Sequence, residues 1–181
     1  MNTAGTDQQA ILDRVLEFKT RWLEDAGLIR LNAQLTAAGK QQQIAELQDE
    51  ANRTLKQLRE EYDAAGTAAV DASMRRAFSH SSTADVLTLR DAALRAQQLD
   101  NEQESSALLR TALRQHDDTL AKEVTLRAID QRWPGPVSEY ADANPNRADD
   151  IKAVWDASAP RSWRDGFSPT EMAFADLSLR A

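Results

Sequence analysis

The feature that most constrains this chain is the spacing of apolar residues between Gly39 and Phe78. Ile44, Leu47, Ala51, Leu55, Leu58, Tyr62 and Ala65 recur at intervals of three and four. On a helix of 3.6 residues per turn this keeps them on one face, whereas a half-buried strand would need alternation. Thr36 is placed to cap the start of that helix through its hydroxyl. Between Leu47 and Leu55 the rhythm slips by one residue, so a perfect heptad zipper is not expected. Upstream, Ile11, Val15, Phe18 and Trp22 share the face of a helix expected to begin near Asp7, and Leu12, Leu16 and Leu23 widen that face. Gly27 interrupts it before Leu28, Leu31 and Leu35 resume, which fits either a tolerated glycine or a kink. The two helices predict a long antiparallel, coiled-coil-like hairpin over residues 1–79.

Shorter helices follow. The stretch SHSSTAD breaks the pattern, and Ser82 or Thr83 is expected to cap a third helix carrying Val86, Leu87, Leu94 and Leu99. DNEQESS marks the next boundary, ahead of Leu108, Leu109, Ala112 and Leu113. Asp117 or Asp118 caps a fifth helix with Leu120, Ala121, Val124 and Ala128, which Pro134-Gly135-Pro136 should stop. Short helices are expected over 137–143 and 146–157. Leu120, Val124, Trp133, Tyr140, Ile151 and Trp155 are the expected core of a compact cluster over residues 80–158. Residues 84–115 share helix lengths with 116–145 but no matching residues, so no repeat array is read. The tail, 159–181, is broken by Pro160, Gly166 and Pro169. Ser168-Pro169-Thr170-Glu171 fits a capping box ahead of a short helix with Met172, Phe174, Leu177 and Leu179.

Composition narrows function. Hydrophobic residues make up 41% of the 181 and aromatics only 6%, with strand-forming runs absent, which predicts an all-α fold. A net charge of −7 disfavours unaided binding to a phosphate backbone. With no cysteine, disulfides, thiolate catalysis and zinc–thiolate sites are excluded. No apolar run reaches bilayer length and the N-terminus lacks a secretory pattern.

His116-Asp117-Asp118 is the most tempting chemical triplet. A metal hydrolase would need more histidines, and His80 is the one other; the triplet reads better as a helix boundary with capping aspartates. Ser81 and Ser82 beside His80 lack the elbow sequence of a nucleophile. Neither a phosphate-cradling loop nor a dinucleotide fingerprint occurs. No catalytic, metal or cofactor-binding residue is therefore expected. For nucleic acid, Arg75-Arg76 and the Arg161-Ser162-Trp163-Arg164 run are the basic candidates, the second interleaving an aromatic with cations. Trp22, Trp133 and Trp155 fall on apolar faces and read as core. Trp163 and Phe167 lie off any strong periodic face, either folded back or anchoring a partner.

Two stretches carry a resemblance. LTAAGKQQQIAELQDEANRTLKQLREEYDAA, 35–65, has the long-helix start L-[ST]-x-x-G followed by a Gln-rich run. LAKEVTLRAIDQRWPGPVSEYADANPNRADDI, 120–151, is a short helical module ending W-x-x-V-x-x-Y-x-x-x-x-P. Together they resemble helical proteins encoded among the virion structure and assembly genes of actinobacterial tailed phages and prophages. The resemblance implies a non-enzymatic structural or assembly protein in the virion or the host cytoplasm. It would contact capsid, neck or tail proteins and copies of itself, without a membrane. Arg161, Trp163, Arg164, Phe167, Met172 and Phe174 are the expected partner-binding residues. The alternative is a small helical regulator binding nucleic acid through Arg161, Trp163 and Arg164.

Overall fold

The structure, a computed structural model, describes residues 3–80, 85–159, 169–175 and 177. Among them all regular structure is helical, as the composition predicts: α1 (Thr3–Leu31), α2 (Ala37–Phe78), α3 (Val86–Gln97), α4 (Glu102–Arg114), α5 (Asp118–Gln131), α6 (Pro134–Ala143), a 3-10 turn (Pro145–Arg147), α7 (Ala148–Ala157) and α8 (Pro169–Phe174). Two compact units form. One holds α1, α2 as far as Ala69, and α8; the other holds α2 from Val70 onward and α3 to α7.

In the first unit α1 and α2 run antiparallel. Gln8 reaches the Tyr62 carbonyl at 3.3 Å, Arg14 pairs with Glu61 at 2.7 Å, and Lys40 donates to the Arg30 carbonyl at 2.6 Å. The last contact satisfies one of the carbonyls that the end of α1 leaves open. Thr36 caps α2 as expected, its hydroxyl accepting the Gly39 N–H at 3.1 Å. Gly27 does not end the helix, because α1 continues to Leu31. A lone glycine costs about 1 kcal/mol, too little to end a helix held by side-chain packing. The seam is narrow: Ile11, Val15, Leu55 and Leu58 are its buried cluster, with Phe18, Tyr62, Phe174 and Leu177 against it.

The second unit is built around α5, which packs on α3, α4 and α6 and is buried around more than half its circumference. Leu120, Val124, Tyr140 and Ile151 are buried there, as the sequence predicts, whereas Trp133 and Trp155, also expected in the core, are partly buried and pack against it. The Phe78 ring stacks on Tyr140 with centroids 5.9 Å apart. Lys122, only 3% exposed, donates to the Ser79 carbonyl just beyond the end of α2 at 2.8 Å.

Two boundaries differ from expectation. Asp85 caps α3, its carboxylate accepting the Leu87 N–H; Ser82 and Thr83 lie outside the described residues. Pro134 and Pro136 open α6 rather than separating it from α5 by a loop. The first helical turn has no partner for its backbone N–H groups, so proline loses nothing there. What ends α5 is Arg132 in the left-handed region at φ 60°, with the Trp133 N–H bonding back to Ala128 at 2.8 Å. This six-to-one bond is the hallmark of a Schellman stop.

Candidate interaction surface

The groups that sequence chemistry singles out have structural occupations. His116 is exposed at φ 57° in the same kind of stop after α4, and the Asp117 N–H returns to Ala112 at 2.9 Å. Asp117 then caps α5 by accepting the Leu120 N–H at 3.0 Å. The triplet is thus a helix end followed by a helix start. His80 faces Glu123 at 3.1 Å. Among the described residues no three His, Asp or Glu side chains group as metal ligands. Arg76, a candidate phosphate contact, is held by both carboxylate oxygens of Asp150, and this pairing keeps the Asp150 carboxyl below its ordinary range. A guanidinium engaged in that fork is less available to phosphate.

What the molecule presents instead is apolar surface. Leu16 and Leu23 were expected to widen the buried face of α1, yet each is 58% exposed, and Leu31 is 83% exposed. At about 100° per residue, Leu16 and Leu23 lie within about 20° of one another and about 100° away from the buried Ile11, Val15 and Trp22. A two-helix seam covers one narrow arc, and this arc is occupied by α2; the second arc stays open. Asp13, Glu17 and Glu24 border the open arc on one side. In the other unit, α3 buries Ala92 and Ala96 and turns Leu87 and Leu94, 70% and 58% exposed, to solvent on the opposite side.

Of the expected partner-binding residues, Arg161, Trp163, Arg164 and Phe167 lie outside the described residues. Met172 is largely exposed. Phe174 is half-buried on its own chain, its ring 5.5 Å from that of Tyr62 and 5.3 Å from the Arg59 guanidinium. Arg59 also binds Glu171 at 2.9 Å, and this bond holds the Glu171 carboxyl below its ordinary range. Lys19 donates to the Met172 and Ala175 carbonyls at 3.4 and 3.0 Å, and Gln48 to that of Leu177 at 2.6 Å. α8 is therefore bound by side chains of both long helices.

Sequence reasoning expected apolar helical faces to meet partners but placed Leu16 and Leu23 on the buried side. The signal was present in the width of the α1 apolar arc, which exceeds what one antiparallel neighbour can cover. No helix among the described residues is long and apolar enough to cross a membrane. No family model, curated protein or solved structure matches the chain.

Proposed function

We propose that this chain is a non-enzymatic structural or assembly protein that works by burying the open side of α1 against other protein surfaces. The observation that carries this reading is the pair Leu16 and Leu23, both exposed and within about 20° of one another on a helix whose other face is already packed. Isolated exposed leucines need no explanation, but a pair aligned two turns apart on one helix face suits an interface. Covering Leu16 and Leu23 is worth about 1–1.5 kcal/mol each, since roughly half of each is still open. Association costs at least about 4 kcal/mol in lost freedom of motion. Pairing through this face alone is therefore weak in dilute solution and becomes firm only where many copies are held together.

Multivalent assembly suits the virion setting that the resemblance of 35–65 and 120–151 implies, with capsid, neck or tail proteins and further copies of the chain as partners. The test is the solution mass, by light scattering, of the wild type and of a Leu16→Arg/Leu23→Arg double variant. Each is measured from micromolar to near-millimolar concentration, alone and with candidate capsid, neck and tail proteins. Growth in mass that the double variant abolishes supports the reading. A wild-type chain that stays monomeric throughout and joins none of those proteins ends it.

A further inference from the structure

The way α8 is held suggests a second, independent surface. We infer that the α1–α2 face around Phe174 is a receptor for a short helical segment of the pattern Glu-x-x-Phe, and that residues 169–177 of a second copy of this chain occupy it in place of the chain's own.

Each anchor on the hairpin reads a different feature of the segment. Arg59 reads two side chains three residues apart, pairing with Glu171 and lying against the Phe174 ring. The charges are complementary, and the i, i+3 spacing brings both groups to one side only when the segment is helical. Tyr62 supplies the aromatic wall. Lys19 and Gln48 also hold backbone, taking the carbonyls of Met172, Ala175 and Leu177. The Met172 carbonyl also accepts the Ala175 N–H at 3.4 Å, and those of Ala175 and Leu177 lie just past α8, so these bonds fix where the chain leaves the helix. A helix of six residues does not persist unaided, so the hairpin imposes the form the segment takes.

Among the described residues the contact is held by one aromatic anchor, one ion pair half open to solvent, and three carbonyl bonds. An interaction of this size is filled within a chain because the tether keeps the segment at an effective concentration of millimolar order. Every copy carries the same receptor and the same segment, so the bound pair within one chain is also the template for the pair between two. Exchange of the segment links copies when their concentration approaches that of the tether.

The experiment uses the full-length chain and a fluorescent peptide with the sequence of residues 168–178, followed by anisotropy. Phe174→Ala vacates the ring's place against Tyr62 and Arg59 and weakens the chain's own segment without altering the hairpin, and this variant should bind the peptide saturably. The wild type should bind it about tenfold more weakly, its own segment competing at about 1 mM against a site of about 0.1 mM affinity. A peptide carrying Phe174→Ala should not bind. Absence of binding to a Phe174→Ala chain of unchanged helicity overturns the inference, and so does equal binding to both chains. Should Phe174→Ala lose helicity, the Glu171→Lys chain, which repels Arg59 and retains the ring, is read against the same two outcomes.

Discussion

Two of the buried hydroxyls in the second unit, those of Ser105 and Thr125, should respond in opposite ways to removal. Ser105 lies within α4, and its hydroxyl has no hydrogen-bond partner among the described residues. Thr125 lies within α5 and donates to the Ala121 carbonyl at 2.8 Å. An unpaired buried hydroxyl carries a desolvation cost of about 1–3 kcal/mol. Ser105→Ala removes that cost and adds about 0.5 kcal/mol of helix propensity. Against this stand the dispersion contacts of one oxygen, about 0.1–0.2 kcal/mol apiece and less than about 1 kcal/mol together. The net expectation is a gain of about 1–2 kcal/mol. Thr125→Val keeps the shape and loses a made bond, so it should cost about 1 kcal/mol. Thermal unfolding followed by circular dichroism reads both changes. The midpoint moves roughly 2–4 °C per kcal/mol if the chain melts as one body, and about twice that if the unit melts alone. A Ser105→Ala variant less stable than the wild type would refute the reasoning, because the hydroxyl would then have a partner that contributes to stability.

Further outcomes are expected. Gly27→Ala should stabilise α1 by about 0.5–1 kcal/mol, since an added methyl meets nothing within 4 Å; an unchanged urea midpoint would contradict this. Gly135→Ala should fail to show the gain of Gly27→Ala and lose up to about 1 kcal/mol, because its methyl would sit 2.8 Å from the Glu102 carboxylate that accepts the Gly135 N–H at 2.6 Å and displacing that carboxylate offsets the helix propensity gained; chemical denaturation measures it. His116→Gly should relieve left-handed strain and gain about 1 kcal/mol. Arg132→Gly should instead lose stability, because Arg132 also binds the Trp155 carbonyl at 2.6 Å and the Ser158 hydroxyl at 2.7 Å and covers the Trp155 ring; comparing the two melting points decides. The carboxyls of Asp150, Glu139 and Glu171 are held low first by hydrogen bonds from Arg76, Arg110 and Arg59. Their stabilisation is complete above the unfolded carboxylate pKa, about 4, and is lost as pH falls through the lower folded values. Urea midpoints should therefore fall with acidification below about pH 4.5, and the Asp150→Asn variant should show a shallower fall.

Much of the local structure was legible because local rules decide it. The capping by Thr36 and Asp117, the helix boundary at His116 and the apolar residues of α5 follow from hydrogen-bond and periodicity arguments that need only near neighbours. The errors lie where such rules permit two outcomes. Two prolines can end a helix or begin one, and the left-handed turn at Arg132 decided the matter by finishing α5 first. The interaction surface was only partly readable. Phe174 drew attention as an apolar residue of the tail helix, but the sequence had no means of showing that Arg59, Tyr62 and Lys19 would receive that helix.

Sequence alone determined that this chain is helical, roughly where its helices begin and end, and that it lacks thiol chemistry. Spacing, capping groups and composition act within a few residues of where they stand. Tertiary structure alone decided which of two apolar arcs on α1 would be covered. Ile11 and Leu16 are equally hydrophobic, and only the position of the neighbouring helix leaves one in the seam and the other in water.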